Sequence, residues 1–252
     1  MSFAVSADAY DRFMGRYSAR LAPQFADYAG VRSGQRAIDV GCGPGALTSV
    51  LVDRLGPTNV GAVDPAESFV AAVRKRFPTV DVRLAAAEQL PFPDKMFDAA
   101  LAQLVVHFMS DPVAGLKEMA RVVREDGVVA ACVWDHAGGQ TPVSVFWQAA
   151  RELDPEVEDE SRRPGSRAGH LAELFVEAGL RDVEATALVA TVAHASFDDW
   201  WRPFTLGVGP AGAYVSRLDD NRRAKLIERC RELLPPAPFE LEARAWTARG
   251  LA

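Results

Sequence analysis

AIDVGCGPGALTSVL occupies Ala37 to Leu51. Its first four residues read as a buried strand, its glycines as a turn, and its apolar residues after Gly45 fall at helical spacing. A strand that enters a helix through glycines lets backbone approach a ligand closely. The string Gly41-Cys42-Gly43-Pro44-Gly45-Ala46 satisfies G-x-G-x-x-A, which is a fingerprint only in that strand–turn–helix context.

The same alternation continues outward. Strands are expected over 60–63, 80–84, 97–103 and 128–134, with helices over 47–55, 68–77 and from Pro112, capped by Asp111, to about residue 123. Residues 97–103 show little polar alternation, as a strand buried on both faces should. This order predicts a parallel sheet with helices on both sides. The N-terminal residues Tyr10, Phe13, Met14, Tyr17, Leu21, Phe25 and Tyr28 form one helical face, with interruptions expected near Gly15 and Pro23. After Trp134 the pattern changes. An exposed, charged connection is expected over 155–169, a helix over 171–178, strands over 183–192 and 239–246 (the latter at or near a sheet edge), and a helical cover over 197–234. The chain thus divides into an N-terminal helical lid (1–33), a ligand-binding core (34–135) and a C-terminal half (136–252).

Composition narrows the function classes. The 252 residues are 49% hydrophobic and 25% charged, ordinary for a globular protein with a sizeable core. A formal charge of −6 argues against a nucleic-acid partner. No apolar run is long enough for a membrane helix, and the N-terminus has no basic region followed by an apolar stretch. Three cysteines without metal spacing fit a reducing compartment, so a cytoplasmic location is expected.

Charge also bears on the ligand of the glycine turn. A nicotinamide dinucleotide needs backbone N–H groups and a positive field for its pyrophosphate. Pro44 removes one N–H, and Asp39 repels phosphate from the end of the strand. S-adenosylmethionine has no phosphate and carries an ammonium and a sulfonium, so acids near the turn favour it. Asp64, ending the next strand, suits ribose hydroxyls in either case.

Four stretches carry a resemblance: AIDVGCGPG, VGAVDPAESFV, AAAEQLPFPDKMFDAALAQLVVHFMSDP and LKEMARVVREDGVVAACVW, in order between residues 34 and 134. On them the chain resembles the class I S-adenosylmethionine-dependent methyltransferases, a group that includes quinone-biosynthesis C-methyltransferases and many small-molecule methyltransferases. The resemblance implies a Rossmann-like, doubly wound α/β sheet of seven strands with the last antiparallel. Carried over by position, Gly41, Gly43 and Gly45, with Cys42 in the same turn, line the methionine part of the cofactor, and Asp39 adds negative charge beside them. Asp64 binds the ribose, Pro65 and Ala66 lie against the adenine, and Ala87 and Glu88 meet its edge. Gln103 and Leu104 flank the amino-acid part. The family usually has an acid just before the position of Ala87; here it is Ala86, which leaves the adenine amino group to Glu88 or to water. Arg16 and Tyr17 sit in the segment that closes over the cofactor in similar enzymes, where Arg16 either pairs with the methionine carboxylate or lies exposed.

The acceptor is expected to be a small molecule. His107, after the fourth strand, is the candidate general base, with His136 after the fifth as a second; His170 and His194 are expected to be structural. Trp147, Trp200, Trp201 and Phe204 either line a pocket for an apolar or aromatic acceptor or form the core of the cover. No NPPY-like string points to amide or adenine methylation. Two other functions stay open: a cofactor-binding protein without catalysis, and a nicotinamide-dependent oxidoreductase.

Overall fold

The computed structural model describes residues 7–252; the start of the expected lid, residues 1–6, lies outside the described residues. Seven strands form one sheet in the order β3-β2-β1-β4-β5-β7-β6. They are β1 (Ala37–Val40), β2 (Val60–Asp64), β3 (Asp81–Leu84), β4 (Phe97–Gln103), β5 (Val123–Trp134), β6 (Arg181–His194) and β7 (Phe239–Leu251). Pairing is parallel from β3 through β5, and β7 runs antiparallel to both β5 and β6.

Side chains alternate between two cores, as period-two geometry requires. Ala37 and Leu101 point to one face, while Ile38, Val40, Ala100 and Ala102 point to the other. On the first face lie α2 (Arg16–Tyr28), α3 (Ala46–Leu55) and α4 (Glu67–Arg76), burying Leu21, Phe25, Leu51 and Val73 among others. On the second lie α5 (Pro112–Val122) and α7 (His170–Glu177), burying Leu116, Met119 and Phe175. Each such large apolar side chain contributes about 1.5–3 kcal/mol by leaving water. Asp111 caps α5 as expected, its carboxylate accepting from the Ala114 N–H at 2.9 Å.

The N-terminal segment begins with α1 (Ala7–Tyr10), passes through a π-helical turn over Asp11–Gly15, and enters α2. The break expected near Pro23 does not occur. The missing N–H costs about 3 kcal/mol, but Leu21, Ala22, Phe25 and Ala26 are fully buried on the sheet and hold the helix through it. Three α2 side chains also reach the edge strand: Arg16, Gln24 and Tyr28 donate to the carbonyls of Ala193, Val189 and Glu184 on β6, at 2.6, 2.9 and 2.9 Å.

A third core lies under the cover. It joins α6 (Ser144–Leu153), α8 (Phe197–Trp201), α9 (Gly209–Arg217) and α10 (Asp220–Leu233) with Phe13 of the N-terminal segment. Phe146 stacks on Phe204 at 4.7 Å, and Trp147, Trp200 and Trp201 are buried beside them. These aromatics therefore serve first as the core of the cover. Two further expectations are corrected. The last strand is near the edge as expected, second from it, but runs on past residue 246 to Leu251, because β6 pairs along nearly its whole length. The connection after α6 is not simply exposed: Glu160 and Ser166 are buried, and the Ser166 hydroxyl donates to the carbonyls of Ser161 and Arg163.

Candidate functional site

The turn between β1 and α3 uses all of its backbone donors internally. Gly41 and Cys42 donate to the Val63 carbonyl at 2.8 and 2.9 Å, Gly43 donates to the Asp64 carboxylate at 2.8 Å, and Gly45 donates to the Cys42 carbonyl at 2.9 Å. Pro44 has no N–H. Gly41, Gly43 and Gly45 all have positive φ, at 72°, 52° and 95°, which explains the residue type. They differ in surroundings. A Cβ on Gly41 would overlap the Val105 side chain and one on Gly45 would press on Val73, whereas one on Gly43 would meet nothing within 4 Å.

Acceptors remain unfilled around this turn. Asp39 is 1% exposed; one carboxylate oxygen accepts from the Thr48 hydroxyl at 2.6 Å, while Oδ1 has no partner. Burial raises its pKa from 3.8 to about 7, with the neighbouring Asp64 adding to the rise and Thr48 opposing it. Asp39 thus sits buried near the end of β1, tied to the first turn of α3 through Thr48. Asp64 also has a raised pKa through burial, partly offset by the N–H groups of Ala66 and Gly43. At the end of β4, the Gln103 amide donates to the Ser18 carbonyl at 3.1 Å, and its buried Oε1 has no partner.

Other expected contacts are placed differently. Arg16 pairs with Asp199 at 3.1 Å, because α2 packs along β6 and turns this side chain toward the start of α8. The Tyr17 hydroxyl lies 3.0 Å from His194 Nε2, in the core. Glu88 Oε1 accepts from the N–H groups of Ser110 and Asp111, so this oxygen fastens the loop before α5. The Ala87 side chain is buried in the second core. Pro65 is exposed and Ala66 half-buried, directly after Asp64. Leu84, paired with Asp64 across β2 and β3, is 50% exposed, an apolar surface that spacing did not single out.

Beside the turn, a cavity of about 40 Å³ opens over the carboxyl ends of β4 and β5. Leu104, His107, Trp134 and His136 form its floor, Tyr10 and Phe13 come from the N-terminal segment, and α9 closes it. Leu104 has a positive φ of 63°, strained for a residue with a Cβ, and this bends the chain after β4 toward His107. The His107 and His136 rings are 5.5 Å apart, and His107 Nδ1 and His136 Nε2 are buried without partners. Burial, each other's proximity and Arg163 hold His107 well below its usual pKa; burial and Arg163 lower His136 to about 4. Glu160 joins them, 6% exposed, accepting from the Trp147 indole N–H at 3.2 Å.

The methyltransferase domain family matches residues 38–131, the span that holds the turn, Asp64 and His107. Over residues 38–131 the chain carries a methyltransferase domain. It is 33% identical over 135 residues to an uncharacterised methyltransferase of Mycobacterium tuberculosis, covering 54% of this chain and 52% of that one. It is 36% identical over 106 residues to a ubiquinone/menaquinone biosynthesis C-methyltransferase of Cupriavidus taiwanensis, covering 40% and 44%. The chain spans about half the length of the curated relatives it matches. In fold it is similar to the YcgJ protein of Bacillus subtilis, with a TM-score of 0.59 at 19% identity over 91% of this chain and 97% of that one.

Within this methyltransferase domain, sequence reading found the turn, Asp64 and His107. It missed Glu160, which lies beyond the matched span in a connection whose charge and prolines suggested solvent. It also missed the unfilled acceptor on Gln103, which depends on where α2 packs. Among the described residues no helix is long and apolar enough to cross a membrane.

Proposed function

We propose that this chain transfers a methyl group from S-adenosylmethionine to a small, largely apolar acceptor. The carrying observation is the polarity of the crevice. The turn has spent every backbone donor, while Asp39 Oδ1 and Gln103 Oε1 remain buried acceptors without partners. A pyrophosphate finds no free N–H on residues 41–45 and meets buried carboxylates instead. A ligand rich in donors and positive charge fits, which supports S-adenosylmethionine over a nicotinamide dinucleotide.

When bound, this cofactor supplies an electrophilic methyl on sulfur. Gly43 leaves open space for the methionine part, and Asp64, each oxygen already fixed by one backbone N–H, accepts from the ribose hydroxyls. Pro65, Ala66 and the exposed Leu84 offer apolar surface to the adenine, with Ala86 leaving its amino group to water. Gln103 Oε1 accepts from the ammonium, and Leu104 packs beside it. His107, kept neutral by its surroundings, takes the acceptor's proton on Nδ1 as the new bond forms. The side chains of Tyr10, Phe13, Leu104 and Trp134 make the cavity suited to an apolar or aromatic acceptor.

The cavity is too small for such an acceptor in this closed arrangement. That favours a second reading, in which cofactor binds and no methyl moves. Calorimetry with S-adenosylmethionine, followed by turnover against phenols, hydroquinones and activated carbon acids, separates the two. Formation of S-adenosylhomocysteine with a methylated acceptor supports transfer. Tight binding with no product across the panel supports the second reading, and binding of a nicotinamide dinucleotide in place of the cofactor overturns both.

A further inference from the structure

We infer that His107, His136 and Glu160 form a binding site for a divalent transition metal ion of the zinc class. They come from three separate places: the turn after β4, the turn after β5, and the connection between α6 and α7. One ligand nitrogen from each histidine and one Glu160 oxygen all lie within 4.8 Å of one another. Ligand atoms around a tetrahedral zinc are about 3.3 Å apart, from bonds of about 2.0–2.1 Å. Modest side-chain rotation closes the difference.

Two independent features point to a ligand. His107 Nδ1 and His136 Nε2 are buried without hydrogen-bond partners, and a buried polar atom left unmet is costly. Glu160 is oriented by the Trp147 indole, the kind of outer contact that fixes a carboxylate ligand. Two imidazoles and one carboxylate select zinc, cobalt or nickel over magnesium or calcium. The neighbouring cation is Arg163, which donates to the His107 carbonyl at 3.3 Å and lies over the Phe108 ring at 5.2 Å. Its charge opposes an incoming dication, and Glu160 offsets it.

Three protein ligands leave a position open toward the cavity, whose 40 Å³ exceeds the space of one water. An acceptor oxygen or nitrogen bound there becomes more acidic. That consequence rests on the methyl-transfer reading; metal binding does not. Where the metal is present, the ligating nitrogen of His107 is not free to take a proton, and coordination acidifies the acceptor instead.

The test uses the full chain, stripped with chelator and titrated with cobalt(II) chloride in the absence of cofactor and acceptor. One equivalent should enter with the visible spectrum of a four- or five-coordinate nitrogen–oxygen site, and zinc should displace it. His136→Ala and Glu160→Gln should each weaken uptake by about tenfold or more. Affinity for S-adenosylmethionine reports separately that these variants are folded. Should they fail to fold, X-ray absorption of the zinc-loaded wild-type chain decides, with two imidazole nitrogens and one carboxylate oxygen expected. The site is refuted by no stoichiometric uptake, by uptake unchanged in both folded variants, or by sulfur ligands from Cys42, Cys132 or Cys230. Because no cofactor enters the titration, its failure leaves the methyl-transfer reading standing, and the reverse holds.

Discussion

The Gly43 N–H and the Asp64 carboxylate lie 2.8 Å apart and make the glycine turn and the end of β2 one unit. Asp64→Ala therefore removes the proposed ribose acceptor and also loosens the turn. Affinity for S-adenosylmethionine should fall by about 3 kcal/mol or more, over a hundredfold. Calorimetry on the folded variant checks this; a loss near zero assigns Asp64 to the turn alone.

Gly43 has open space where a side chain would go, so substitution should act on the ligand before the fold. Gly43→Val should abolish cofactor binding. Its positive φ of 52° adds a stability cost of about 1–2 kcal/mol, visible as a lowered melting temperature. Unchanged affinity in a folded Gly43→Val protein removes the cofactor from this turn.

Asp39 makes the site sensitive to pH. Its pKa is raised to about 7, so the stability it contributes is full below the ordinary carboxylic range and is lost as pH rises through 7. A cationic ligand prefers the ionised form, so cofactor affinity should rise over the same interval, with proton release on binding. In Asp39→Asn the affinity should lose this slope. The ligand-free variant should melt higher than wild type at about pH 8, and the difference should shrink steadily as pH falls from about 7 toward about 4.

Arg16 belongs to the packing of α2 against β6 and α8. Its ion pair with Asp199 is about one-third exposed on each side, so Arg16→Ala should cost at most about 1 kcal/mol, given solvent screening. Cofactor affinity should stay within error of wild type. A large loss of affinity restores the role first expected of this residue.

For His107, the metal-free chain is the proper subject. His107→Ala should slow single turnover by about 10²–10⁴-fold with cofactor affinity nearly unchanged. Because His107 is held well below its usual pKa, the wild-type rate should be flat near neutrality, without a step near the ordinary histidine value. A variant with the wild-type rate leaves alignment as the catalytic device.

What was legible in the sequence was local. The strand, glycines and helix of residues 37–51, the Asp111–Pro112 helix start and the buried β4 all follow from spacing within a dozen residues. Where residues from distant parts of the chain meet, spacing is silent. Arg16 and Asp199 are 183 residues apart, and Glu160 reaches His107 only because the cover folds back over β4 and β5. The expected start of β5 at Val128 fell short because Val123 also pairs, with Phe97, across a register shift from Val128 opposite Ala99, and Asp126 takes a positive φ between them.

The fastening of α2 to β6 has a consequence for shortening the chain. Removing the N-terminal segment to expose the crevice would also strip Gln24 and Tyr28 from the carbonyls of Val189 and Glu184. An outer strand of 14 residues would then stand bare, with Val189 already 40% exposed on it. Bare outer strands template self-association. A chain beginning after Tyr28 should therefore come out of solution or pair edge to edge, and its lost binding would report aggregation rather than an opened site.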